Sequence, residues 1–223
     1  MGTCPLCDCS KDHLGKHFAL SSCGYPEISS EKLELLEGLL LGDGNISEPN
    51  SGNCVFRVSM INKEFLDWLD DRLGWLSTGV KLSKTAEQSS NNDLVEDGKA
   101  EDYSDVYRLN TVAHPKFNEY REWYDSGVKR FPKDLELTPR KMEMWYVSDG
   151  HLQNNGSVRA DIRIWNERDR PEVVKNIIDS TNISGYRFDP NEGRLYFRTD
   201  STKDLLEYIG NVTIGFEYKY KVV

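Results

Sequence analysis

Residues Leu36-Glu37-Gly38-Leu39-Leu40-Leu41-Gly42-Asp43-Gly44 decide how the rest of the chain is read. Ahead of this run, Ser29, Ser30 and Glu31 supply a cap and an acid for a first helical turn. The pattern predicts a helix from Lys32 to Gly42. Its apolar positions Leu33, Leu36, Leu39 and Leu40 leave few polar faces, so the helix belongs in the middle of the protein. Gly38 and Gly42 lie on one side of it, where missing side chains let a second helix approach.

A second stretch repeats the arrangement. Thr138-Pro139 gives a cap followed by proline at the first helical position, and Met142-Glu143-Met144-Trp145-Tyr146-Val147-Ser148-Asp149-Gly150 closes on the same Asp-Gly. A carboxylate at a helix C-terminus faces unpaired carbonyls and is disfavoured by roughly 0.3 to 1 kcal/mol. A single Asp-Gly is ordinarily a helix stop, with a left-handed glycine and a solvated Asp. Two at matched ends of duplicated apolar helices read differently. Packed side by side, the helices bring both carboxylates and their last carbonyls into one negative volume that a divalent cation would stabilise. Oxygen-only donors with room for water suit Mg²⁺.

The duplication continues beyond the helices. A shift of 104 residues pairs Val58 with Ile162, Met60 with Ile164 and Asn62 with Asn166. Phe56, Val58 and Met60 alternate with Val55, Arg57 and Ser59, and Ala160, Ile162 and Ile164 alternate with Arg159, Asp161 and Arg163. Tyr107 and Leu109 oppose Arg108 and Asn110; Leu195, Phe197 and Thr199 oppose Arg194, Tyr196 and Arg198. Helical patterns follow the strand pairs at Glu64–Leu76, Pro115–Tyr124, Pro171–Ser180 and Thr202–Ile209, with Trp68, Trp75 and Trp123 at core spacing. Each half therefore reads helix, two strands, helix, two strands, helix, in the α+β class. The helices cover one sheet face and leave the other bare, polar and rich in arginine. The expected organisation is a Cys/His-rich segment over 1–27, a first repeat over 28–125, a basic connector over 126–137 and a second repeat over 138–223.

The run Leu36 to Gly44 resembles the signature helix of the LAGLIDADG homing endonucleases, and the degenerate second copy keeps its Asp149-Gly150. Similarity extends through Trp123-Tyr124, Gly127, Lys129, Pro132 and Leu137-Thr138-Pro139 to Tyr218-Lys219-Tyr220, roughly residues 31–221, in the manner of the branch with two motifs in one chain. Met144 stands where the family has glycine, and Val147 and Ser148 also depart from its pattern. The resemblance implies a monomer with two pseudo-symmetric αββαββα repeats that form a saddle on double-stranded DNA and cut it at a specific site. It implies that Asp43 and Asp149 hold Mg²⁺ with the carbonyls of Gly42 and Ser148, and that Lys129, in a connector with Arg130 and Lys133, stabilises phosphoryl charge. It places Arg57, Ser59, Arg108, Asn110, Arg159, Asp161, Arg163, Arg194, Tyr196 and Arg198 on the DNA face, against phosphates or base edges. The rival expectation is a non-cleaving relative, an intron maturase or regulator that binds DNA or RNA.

Net charge weighs modestly toward that rival. The 223 residues carry 28 Lys plus Arg against 37 Asp plus Glu, a formal charge of −9. However, residues 93–105 hold Asp93, Glu96, Asp97, Glu101, Asp102 and Asp105 against Lys99, so the total says little about any one face.

The N-terminus poses a separate question. Four of the five cysteines fall in the first 23 residues with His13 and His17 among them, a metal-ligand density rather than a disulfide framework. Cys4, Cys7, His17 and Cys23 make a knuckle-type tetrahedral set for structural Zn²⁺, with Cys9 and His13 as rival ligands. The thiols point to a reducing, cytoplasmic compartment. No apolar run is long enough to expect a membrane span or a secretory signal.

Overall fold

The computed structural model describes residues 2–49, 52–90, 100–154 and 158–221, so acidic positions 93–99 lie outside the described part. Two compact units emerge, and they cut across the sequence repeats. One comprises Met1–Ser29 with Gly44–Glu119; the other comprises Ser30–Asp43 with Tyr120–Val223. The first motif helix is thus grouped with the second half of the chain.

The first unit begins with a small finger: strands β1 (Gly2–Thr3) and β2 (Ser10–Lys11) form a hairpin, followed by helix α1 (Leu14–Leu20). Phe18 is buried and makes an edge contact with Trp75, 5.6 Å between ring centroids. His114 sits against Tyr25, Trp75 and Phe117 and hydrogen-bonds through Nε2 to the Pro26 carbonyl at 2.9 Å. This aromatic cluster fixes the finger to the sheet that follows.

That sheet is antiparallel, in the order β3 (Asn45–Ser47), β4 (Val55–Met60), β6 (Val106–Thr111), β5 (Ser77–Lys84). Phe56, Val58 and Leu109 face the core, fully buried, and Cys54 is buried beside them. Helix α3 (Lys63–Leu73) is capped by the Asn62 side chain, which accepts the Phe65 amide at 3.0 Å, and it buries Phe65, Leu66, Leu69 and Leu73. The short helix α4 (Ala86–Ser90) buries none of its residues. The helical pattern expected over Pro115–Tyr124 is a 3₁₀ helix at Pro115–Trp123, and Tyr124 already belongs to the next strand. Trp68 and Trp75, expected in the core, are only half-buried, whereas Trp123 is buried.

The second unit pairs the two motif helices, α2 (Ser30–Leu41) and α5 (Pro139–Asp149). Thr138 caps α5 by accepting the Lys141 amide. Strands β7 (Tyr124–Asp125) and β8 (Val128–Lys129) form a tight hairpin whose turn places Ser126 and Gly127 at positive φ. The larger sheet runs β11 (Tyr186–Asp189), β12 (Arg194–Phe197), β10 (Val158–Arg163), β9 (Gly150–Asn154). Counted from the first strand of each repeat, both sheets have the same strand order, one-two-four-three, so the duplication read from sequence is a duplication of topology. Helices α6 (Pro171–Asp179) and α7 (Thr199–Ile209) bury Val173, Val174, Ile177, Ile178, Leu205 and Ile209. Among the described residues no helix is long and apolar enough to cross a membrane.

Candidate active centre and metal sites

Glycine on one helix sets the distance between the motif helices. A β-carbon on Gly38 would stand 2.6 Å from both the Met144 Cβ and the Lys141 carbonyl oxygen; one on Gly42 would overlap the Ser148 Cβ and come within 2.9 Å of Asp149 Oδ2. Met144 in place of the family's glycine therefore does not keep the helices apart, because Gly38 already makes room for it. An ion pair between Lys141 and Glu37, at 2.8 Å, ties the same faces, and the Tyr120 hydroxyl donates to Glu37 at 2.7 Å.

Asp43 lies just beyond the end of α2, and Asp149 is the last residue of α5. Gly150 is extended, with φ −77° and ψ 147°, so it does not act as a left-handed stop. Its lack of a side chain instead clears the Tyr146 ring. Asp43 reaches solvent on one side and Asp149 is half-buried. Lost hydration raises the pKa of Asp43 against the pull of Lys129 and Lys219. Burial, and then the nearby Asp43 charge, push Asp149 up to about 7.

Two lysines answer the two carboxylates. Lys129 Nζ donates to the Gly42 carbonyl at the end of α2, and Lys219 Nζ donates to the Val147 carbonyl near the end of α5 at 2.7 Å. Burial lowers each to about 8 while Asp149 and Asp43 hold them up. The sequence reading assigned a role to Lys129 and none to Lys219. The only signal for Lys219 was its place in Tyr218-Lys219-Tyr220 at the end of the family similarity.

The outer sheet faces carry most of the expected polar residues. In the first sheet Arg57 lies directly opposite Asn110 and Ser59 opposite Arg108, with Arg57 Nε donating to Asn110 Oδ1 at 3.2 Å. In the second, Arg159 and Arg163 are exposed on β10, and Arg194 and Tyr196 are half-exposed on β12. Asp161 is 1% exposed, engaged by Arg194 Nη1 at 2.5 Å and Gln153 Nε2 at 3.2 Å, so it braces this face from within. Arg198, just beyond β12 at the cap position of α7, is exposed and lines a cavity with Arg159, Asp161, Arg187 and Tyr196. Arg187 was not anticipated; its guanidinium lies over the Tyr196 ring, 4.9 Å from the centroid.

In the finger, the ligand atoms of Cys4, Cys7, His17 and Cys23 all lie within 4.8 Å of one another. The rivals Cys9 and His13 are not among these four converging ligands; His13 occupies the cap position of α1. Three thiols and an imidazole converging at this spacing fit a closed tetrahedral site.

The LAGLIDADG DNA endonuclease family pattern matches residues 33–205. An uncharacterized protein of Methanocaldococcus jannaschii is 31% identical over 135 residues, 58% of this chain and 48% of that protein, so the chain spans about half the length of this relative. Among solved structures, the homing endonuclease I-WcaI bound to its DNA recognition sequence superposes with a TM-score of 0.73 at 17% identity, covering 88% of each chain.

Proposed function

We propose that this chain, which belongs to the LAGLIDADG DNA endonuclease family, is a monomeric homing-type endonuclease that makes a Mg²⁺-dependent double-strand break at a specific DNA site. The convergence of Asp43, Asp149, Lys129 and Lys219 on the ends of two glycine-spaced helices carries this reading. Hard oxygen donors converging at two helix ends fit a small divalent cation, which Asp43 and Asp149 would hold with the carbonyls of Gly42 and Ser148. When bound, Mg²⁺ supplies charge neutralisation and orientation of the attacking water.

The remaining work falls to the protein. Lys129 and Lys219 face both carboxylates from the helix ends, where an ammonium stabilises charge as it builds on a phosphoryl oxygen. Arg57 and Arg108 on one sheet, and Arg159, Arg163 and Arg194 on the other, neutralise phosphates or read guanine edges, and Ser59, Asn110 and Tyr196 add hydrogen bonds. The Asp161–Arg194 pair holds one of these guanidinium groups in a fixed orientation. Zn²⁺ held by Cys4, Cys7, His17 and Cys23 would close the finger, which is too short to fold without it. A cluster of metal-ligand thiols and a DNA substrate suit the cytoplasm.

A randomised duplex library incubated with Mg²⁺ and sequenced at its new ends tests the proposal. One recurring site, cut on both strands, is expected. Asp43→Asn and Asp149→Asn should still bind that duplex, with affinity falling steeply as salt rises, and should cut it at least 100-fold more slowly, on the scale of a lost transition-state ligand. Cutting at the wild-type rate by either variant would remove that carboxylate from the reaction. Binding without any cutting by the wild type would leave a nucleic-acid-binding relative.

A further inference from the structure

Each repeat leaves one large apolar side chain in water at the same step. In the 104-residue register Met60 matches Ile164, Ile61 matches Trp165 and Asn62 matches Asn166. Met60 and Ile164 are buried, whereas Ile61 is 64% exposed and Trp165 46% exposed. A single exposed apolar residue is ordinary. The same exposure in both copies, just after a strand whose outer face bears arginine, calls for a reason. Local structure does not supply one: Asn62 performs the helix capping next to Ile61, and no side chain caps the short 3₁₀ turn that Trp165 opens.

The surroundings of Trp165 suggest its use. It lines a cavity of about 300 Å³ together with Gly42, Lys129, Asp149, Arg163 and Asn166. Its ring is held from two sides: the Arg168 guanidinium lies 4.3 Å from the centroid, and a β-carbon on Gly193 would come within 2.8 Å of its Cε3. A flat apolar group is therefore held in place beside a reactive carboxylate, with much of its surface open.

We propose that Trp165, and Ile61 at the matching step of the first repeat, are DNA-positioning wedges. Each presses on the deoxyribose and base edge of the nucleotide step beside a scissile phosphate and loosens its stacking. In a straight duplex that phosphate lies flush with the groove wall; apolar side chains set against a base step partly unstack it and kink the helix by roughly 20–90°. The kink would bring the phosphate down toward Asp149 and Lys129. This inference rests on the endonuclease reading above and adds to it two residues that make no hydrogen bond to the DNA.

The test uses the full chain and the duplex recovered by library selection, with 2-aminopurine placed at the step cut by the Asp149 half. The wild type and Trp165→Phe are expected to brighten the probe on binding in EDTA, and Trp165→Ser is not. Trp165→Ser should bind within about threefold of wild type but cut that strand about 30-fold more slowly, on the scale of an unstacking cost of a few kcal/mol. Cutting should recover when a mismatch opens the step in advance. Normal brightening and cutting by Trp165→Ser, or slow cutting that the mismatch does not rescue, would overturn the proposal. If Trp165→Ser melts early, Ile61→Ser read at the other strand's step decides by the same criteria. Failure of the wild type to select or cut any duplex would instead sink the endonuclease reading, and the wedge with it.

Discussion

Gly42 and Asp149 approach so closely that a β-carbon on the glycine would stand 2.9 Å from Asp149 Oδ2. The position of a candidate metal ligand on one helix therefore depends on a missing side chain on the other. Gly38, one turn earlier, does the same for Met144. Both spacing glycines belong to the first motif, Gly38 within α2 and Gly42 directly after it, so the second motif could lose its own without parting the helices.

Gly42→Ala should accordingly damage both fold and site. Forcing a methyl group into a packed contact costs about 1–3 kcal/mol, and in a chain this size each kcal/mol lowers the melting temperature by about 2–4 °C. Cleavage should fall further than stability, because the overlap falls on Ser148 and Asp149 themselves. Pairing it with Ser148→Gly should restore part of the melting temperature. A Gly42→Ala protein that melts and cuts like wild type would show that the close approach at Gly42 is not needed by fold or site.

His114 gives a pH dependence whose sign is fixed by its partners. The Lys116 amide donates to Nδ1 at 3.1 Å, so Nδ1 must be an acceptor, and Nε2 carries the proton it donates to the Pro26 carbonyl. The ring is neutral in the folded state, and burial lowers its pKa. A base with a lowered folded pKa contributes stability that is present above its unfolded value, about 6.5, and is lost as pH falls below it. The wild type should therefore lose stability on acidification faster than His114→Phe does. Zinc release by acid is common to both proteins and cancels in the difference. Parallel melting curves for the two from pH 7.5 to 5.5 would contradict this reading.

Much of this architecture was legible in the sequence, for identifiable physical reasons. Strand alternation such as Phe56, Val58 and Met60 against Arg57 and Ser59 follows from a sheet with one covered face, and the cap residue Thr138 announces a helix start that the structure keeps. The Cys4, Cys7, His17 and Cys23 group was readable because metal ligands leave a spacing signature. The burial of Asp161 was not legible, because alternation reports which face a side chain takes, not whether a neighbour such as Arg194 covers it. Lys219 escaped because it is 70 residues beyond Asp149 in sequence, and only the tertiary fold brings its ammonium to the Val147 carbonyl. The grouping of α2 with the second half of the chain was equally hidden, since it follows from packing against α5, a helix about 100 residues further on.

Lys219→Met tests the residue that sequence did not assign. Methionine keeps much of the side-chain volume while removing the donor to the Val147 carbonyl and the positive charge near both carboxylates. Cleavage should fall by roughly 10²–10³-fold, the usual range for a lost charge-stabilising donor, with the selected duplex still bound. Lys129→Met should behave alike if the two lysines serve equivalent halves. A nicked product that accumulates with one variant and not the other would show which strand each lysine serves; full double-strand cutting by Lys219→Met would exclude it from the reaction.

The finger yields the last prediction, because its metal ligands and its docking contacts are interleaved. His17 and Phe18 are adjacent in α1, the one a ligand in the four-residue group and the other buried against Trp75. Cys23 lies just before Tyr25 and Pro26, which meet His114. Removing zinc should thus release the aromatic cluster as well as the finger, while the sheet behind it keeps its own core of Phe56, Val58, Leu66 and Leu69. Metal analysis should find one zinc per chain in the wild type and much less in Cys23→Ser. In that variant, emission from Trp75 should shift toward that of a solvated indole, an assignment checked with Trp75→Phe, and proteolysis should enter before residue 29. The far-ultraviolet spectrum should change only slightly. Full zinc retention by Cys23→Ser would remove Cys23 from the ligand set, and zinc loss that leaves the Trp75 emission and the proteolytic pattern unchanged would show that the aromatic cluster holds the finger without the metal.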